Sequence, residues 1–334
     1  MLRILQNTKI DFIRLSKITS IGILAFLLPA FIWIAVSDFR YSVEFTGGTL
    51  TQLEFNEAPD IARVRAALTR SGAADAEIVT YGSPRELVVR AQEAEHVEAQ
   101  AAGAERVANR IQSSLEQEFG AQSFRVVRTE AVGPRVGAEL RRNALIAMLI
   151  SFAVSLAYLA WRFDRRLGLA AVIANVHDIL ATFAFIKYAN LEISLFVVGG
   201  ILTVIGYSLT DKVVVFDRVR EIRKRARNES MREVLNRAVN ETLPRTVMTG
   251  TTVIACLLAL ILLGGEVLRS FALVLLFGIA VGTFSSIYVA GPVLLWIEKK
   301  WPRANAARPG AARSGPPASA PTPRSRRQTE VATR

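Results

Sequence analysis

Several side chains in this sequence stand inside or beside apolar runs that give them little to interact with. Asp211 is one. It follows Gly199, Thr203, Gly206 and Thr210, small residues spaced by 4, 3 and 4, and such a stripe lets a neighbouring helix approach closely. Val213, Val214, Val215 and Phe216 come after it, before Asp217-Arg218. If the helix ended at Thr210, Asp211 and Lys212 would be wet and four large apolar residues would stand in water. A helix running through Phe216 avoids this and buries Asp211, with Lys212 snorkelling its amine to the interface. Asn175, Asp178 and Thr182 share one face of another run, with His177 beside them. A His-Asp pair there is either a proton-relay element or a polar contact that packs helices. Arg245, Thr249, Thr252 and Cys256 make a third stripe, headed by an arginine. That arginine is either a charge anchor at the membrane surface or the partner of the Asp211 carboxylate. Gly278 and Gly282 form a GxxxG, a packing face.

A charge near the centre of a bilayer costs from about 2.5 kcal/mol upward, so each of these groups calls for a partner or a task. A carboxylate facing a hydroxyl-lined helix with an arginine near it suits proton uptake. Protonation would neutralise Asp211, release Arg245 and change the preferred helix packing, which makes a two-state element.

The elements that hold these groups are read from hydropathy. The chain has 334 residues, 51% of them hydrophobic, and a net charge of +12. Apolar and basic residues are segregated. Stretches 18–37, 143–161, 167–186, 193–210, 246–265 and 270–297 carry little or no charge, and crossing the ~30 Å hydrocarbon core takes about 20 helical residues. The expectation is a polytopic α-helical membrane protein with six transmembrane helices.

Loop charges orient it. Residues 1–17 carry +3, 162–166 +2, 217–245 +4 and the tail from Glu298 +7, whereas 38–140 carries −5. Positive loops stay inside, so both termini and loop 217–245 are expected in the cytoplasm and 38–140 outside. The basic balance is therefore topology, and nucleic-acid binding is not needed to explain it. Ala35-Val36-Ser37 resembles a weak cleavage site, yet the length of the first span favours a retained anchor. The single cysteine, Cys256, makes no internal disulfide.

Within 38–140, Tyr41–Phe55, Glu77–Tyr81, Arg85–Arg90 and Phe124–Val132 read as strands. Helices are expected from the Asp60 cap to Gly72 and from Glu93 to Phe119, the latter with Val107, Ile111 and Leu115 on one face. The order βαββαβ suits an extracytoplasmic α+β ferredoxin-like domain. No ligand-spaced cluster occurs in it, and His96 falls in a charged run. No metal site, nucleotide loop or nucleophile elbow is found, so no cofactor and no enzymatic role are expected. Residues 301–334, rich in Pro, Ala, Ser and Arg, are expected to be disordered.

Several motifs taken together resemble one family. They are Phe45-Thr46-Gly47-Gly48-Thr49, Val132-Gly133-Pro134-Arg135-Val136-Gly137, His177-Asp178, Gly206-Tyr207-Ser208 through Asp211 to Asp217-Arg218, and Asn240-Glu241-Thr242-Leu243-Pro244-Arg245-Thr246. In this order the chain is similar, from about residue 9 to 300, to the SecF family of protein-export membrane subunits in the resistance-nodulation-division superfamily. The resemblance implies a bacterial inner-membrane subunit that uses the proton-motive force to complete export of unfolded proteins. It implies SecD as obligate partner, the SecY/SecE/SecG channel and YajC as associates, and no cofactor beyond the proton gradient. By motif position Asp211 would be the proton-relay aspartate and Arg245 the functional arginine. Three positions depart from the family pattern: Thr210-Asp211-Lys212 replaces Asn-Asp-Thr, Pro244 replaces Ser, and Glu44 replaces Asp. Two other readings stay open: half of a small-molecule or lipid exporter, and a structural subunit that moves no protons.

Overall fold

A computed structural model of the chain describes residues 8–73, 76–91, 101–226 and 229–301. His96 and residues 302–334 of the expected tail lie outside the described residues. Among the described residues six helical segments are long and apolar enough to cross a membrane. They are α1 (Phe12–Val36), α5 (Pro134–Arg162), α6 (Arg165–Tyr188), α7 (Leu195–Arg225), α8 (Met231–Leu263), and α9 (Gly265–Tyr288) running into α10 (Ala290–Lys300). Each contains its expected apolar stretch apart from a residue or two at an end.

The 217–245 segment, expected as a loop, is mostly helix: α7 runs to Arg225 and α8 starts at Met231. The reason is local. Arg225 pairs with Glu221 at i,i+4 and Arg237 with Glu241 likewise, a spacing that supports exposed helices. Ser230 and Glu233 close a capping box at the head of α8. Beyond Asp211, Val215, Phe216, Val219 and Ile222 are buried in a core cluster with Val234, Leu235, Ala238 and Leu294. The fourth span therefore does not stop at Thr210.

Between α1 and α5 lies the α+β domain. Strands β1 (Gly48–Phe55), β2 (Glu77–Tyr81), β3 (Ser83–Ala91) and β4 (Phe124–Val132) form an antiparallel sheet in the order β2-β3-β1-β4. Helices α3 (Ile61–Arg70) and α4 (Ala101–Phe119) complete the βαββαβ order, which is the expected ferredoxin-like sandwich. Leu53, Phe55, Val64, Leu68, Leu87, Val89, Ile111 and Leu115 fill its core. Asp60 caps α3, accepting from Ala62 N at 2.8 Å. Glu118 on α4 ties down α3 by accepting from Arg63 Nη2 at 3.1 Å and from Arg70. Hydrogen bonds from Arg63 and then Arg70 hold its carboxyl below the usual 4.5. The tie is thus fully present above that value and is lost as pH falls through the lowered one. Protection factors over residues 61–70, which correct for the intrinsic slowing of amide exchange in acid, should fall with acidification in that window, and Glu118→Gln should abolish the dependence.

The first strand begins later than expected. Val43–Thr46 is a short helix, α2, and Tyr41 makes only an isolated bridge to Ile193. Tertiary contacts override the β-branched composition here. Ser42 N donates to Ile193 O at 3.0 Å and Ile193 N to Arg40 O at 2.8 Å. Glu44 Oε2 accepts from Leu195 N at 2.7 Å, capping the first turn of α7. Gly47, at φ 75°, packs against the head of α5, where an added Cβ would sit 2.6 Å from Pro134 Cα. Gly137 faces back: its Cβ would meet Gly47 N at 2.9 Å. The two glycine-rich motifs are two halves of one joint between domain and membrane. An ion-pair chain reinforces it, with Arg90 of β3 bound to Glu192 and to Glu77, and Glu77 to Arg40. Burial pushes the Glu192 carboxyl up despite its arginine partner.

Candidate functional site

The polar groups singled out from the sequence fall into two clusters on either side of α7. The first lies between α6 and α7. Asn175, Asp178 and Thr182 are all buried on one face of α6, as their spacing indicates. Lys212 is fully buried as well. Its ammonium donates to Asp178 Oδ2 and to the Ser208 hydroxyl, and Ser208 Oγ donates to the same Asp178 oxygen. The other Asp178 oxygen meets His177 Nδ1 at 2.9 Å. Lys212 therefore does not snorkel. A lysine stem reaches water only if the helix face beneath it leads there, and this face leads into α6. In the sequence Lys212 reads as an interface residue and as a departure from a pattern, and neither reading points to Asp178. Its partner is 34 residues away and carries no spacing signal.

Asn175, one turn before Asp178, has neither Oδ1 nor Nδ2 bonded among the described residues. A buried amide of this kind is a natural place for an ordered water.

The second cluster surrounds Asp211, about 24 Å along α7 from its start at 1.5 Å per residue. Asp211 is 7% exposed. It accepts from Thr283 Oγ1 of α9 at 3.2 Å and has no cation in contact among the described residues. Arg245 of α8 is exposed. Thr249, Thr252 and Cys256, the rest of the α8 stripe, are exposed too.

The packing glycines divide. Gly278 and Gly282 do face a neighbour: a Cβ at Gly278 would lie 2.3 Å from Val204 Cγ2, and one at Gly282 would lie 2.9 Å from Ser208 Cβ. The missing side chain at Gly282 makes room for the hydroxyl that reaches Asp178. Three helices therefore meet at Ser208. The α7 stripe is different. A Cβ at Gly199 or Gly206 would meet nothing within 4 Å among the described residues, and Thr203 and Thr210 are exposed. Among the described residues it does not pack against a helix, contrary to what its spacing suggests. Periodicity identifies a face without saying what it faces. The open small-residue stripe of α7 and the open polar stripe of α8 belong to neighbouring helices, with Asp211 near both.

Comparisons with known proteins agree in kind. Residues 111–300 match the model of the family described as protein export membrane protein SecD/SecF, C-terminal. A protein translocase subunit SecF from Gemmatimonas aurantiaca is 52% identical over 94% of this chain and 95% of its own length. Its counterpart from Desulfurispirillum indicum is 40% identical over 87% of this chain and 93% of its own. Among solved structures, SecDF from Thermus thermophilus, described as a translocon-associated membrane protein, superposes with a TM-score of 0.77 at 33% identity. That match covers 90% of this chain and 40% of the solved one.

Proposed function

The chain belongs to the SecD/SecF family of protein-export membrane proteins as a SecF-type translocase subunit, a multi-pass membrane protein, and on that premise we propose that it couples the proton-motive force to a late step of protein export. The cell's inner membrane is its place, with both termini in the cytoplasm. Its helices form one half of a core whose other half is supplied by SecD. The unpartnered stripes of α7 and α8 are the surface that half would cover, and SecY/SecE/SecG and YajC complete the assembly around an unfolded polypeptide. No cofactor beyond the proton gradient enters this reading.

One observation carries it: two membrane carboxylates are handled in opposite ways. Asp178 is neutralised in place by Lys212, whereas Asp211 has only a threonine hydroxyl in contact among the described residues. Gain or loss of a proton at Asp211 therefore changes the net charge between α7 and α9, and Arg245 is the cation that answers it. Asp178 and His177 enter the relay as its buried counterpart on the other side of α7. A charge moved through 100 mV is worth about 2.3 kcal/mol, a factor of about 50 in an equilibrium. That suffices to bias a helix arrangement.

The test is the rate at which an exported precursor is released from membrane vesicles under an imposed proton gradient. Asp211→Asn should abolish the stimulation by the gradient and leave gradient-independent export in place. Unchanged stimulation in Asp211→Asn would remove Asp211 from the relay and leave the chain a structural subunit.

A further inference from the structure

The Asp178–Lys212 pair is a closed unit, with both aspartate oxygens occupied and every bond made within or between α6 and α7. The two side chains are 1% and 0% exposed, so neither meets water in this arrangement. Lys212 is nonetheless the chain neighbour of Asp211. Consecutive residues on a helix point about 100° apart, so the direction of one fixes that of the other. We propose that Lys212 is a positioning residue: by pairing with Asp178 it holds α7 against α6 in the one rotation that presents Asp211 to Thr283 on α9. Turning α7 away from that rotation breaks an ion pair in apolar surroundings, where the cost of separating charges is greatest. Ser208 adds a second constraint, since it bonds Asp178 on one side and fills the space left by Gly282 on the other.

The charged groups around this lock are few. His177 faces it from α6 and Asp211 adjoins it on α7, while Arg245 on α8 is exposed. From α9 the neighbouring polar residues Thr283, Ser285 and Ser286 are uncharged. The proposal builds on Asp211 as the functional carboxylate, but it concerns geometry and is read without export.

In the full chain with Cys256→Ser, kept in its native membranes, Asp211→Cys reports the accessibility of position 211 to N-ethylmaleimide. A second reporter, Ala238→Cys, sits in the core cluster beside Val215 and Phe216 and registers general loosening. Each is combined with two neutral replacements of the pair, Asp178→Asn with Lys212→Gln and Asp178→Leu with Lys212→Met, so that no charge is left unpaired. Labelling of Asp211→Cys should rise about tenfold in at least one replacement while Ala238→Cys keeps its native rate, the mark of a local change in exposure. If position 211 labels at the native rate wherever Ala238→Cys does, the pair only fills space and the proposal is wrong. If both reporters label fast in both replacements, the pair holds the fold as a whole and the proposal is equally wrong. None of these outcomes bears on whether Asp211 carries the proton, which the export measurement decides separately.

Discussion

Lys212→Met, made alone, is expected to keep the chain from accumulating in the membrane. The substitution leaves Asp178, 1% exposed, without its cation. Breaking a buried pair by removing one partner costs about 3–5 kcal/mol. Escape by protonation is no cheaper, because neutralising an ordinary carboxylate at pH 7 costs roughly 4 kcal/mol. Either route consumes much of the roughly 5–15 kcal/mol that holds a folded protein together. Adding Asp178→Asn to Lys212→Met should recover most of the lost protein, since a neutral amide keeps the shape of the site. Quantifying the chain in membranes for wild type, the single variant and the double variant checks this. Equal amounts in all three would mean that the pair contributes nothing to stability.

The second large effect is expected at the joint between domain and membrane. Gly47 combines a φ of 75° with ψ of 164°, a region open essentially only to glycine. Its missing Cβ is also where Pro134 lies, with Cα at 2.6 Å and N at 2.9 Å. Backbone strain of about 1–3 kcal/mol and a collision of about 1–3 kcal/mol should therefore both appear in Gly47→Ala. Gly72 separates the two. It has φ 85°, but an added Cβ there meets nothing within 4 Å among the described residues, so Gly72→Ala should show strain alone. Thermal unfolding of the purified chain should rank Gly47→Ala well below Gly72→Ala. Comparable losses would mean that Pro134 yields and that the joint is looser than its contacts suggest.

Much of the architecture was legible because hydropathy and turn chemistry are local. The six spans, the Asp60 cap and the βαββαβ order all follow from residues close in sequence. The 217–245 segment apart, whose helices rest on local pairs and a capping box, the misreadings originate in distant contacts. Tyr41–Thr46 has strand composition, yet Ile193, Leu195 and Pro134 bend it into a bridge and a short helix. The α7 stripe was recognisable at Gly199 and Gly206, but not its lack of a neighbour among the described residues. Asp178 and Asp211 were both marked as unusual. Their difference rests on Lys212, whose side chain could equally have been snorkelled or buried until α6 was placed beside it.

The cap that Glu44 places on α7 has a consequence for the order in which the molecule comes together. The carboxylate and the Leu195 amide it accepts from are 151 residues apart. At roughly 5–20 residues per second of synthesis, segment 40–46 must wait on the order of 10–30 s for its counterpart to emerge. The domain from β1 to β4 is complete well before then, with its own core. It therefore folds as a newborn unit tethered by α1, and seats itself only once α6 has been threaded and the first turn of α7 has appeared. A nascent chain halted after β4 has emerged but before residue 195 carries a finished domain on an unfinished hinge.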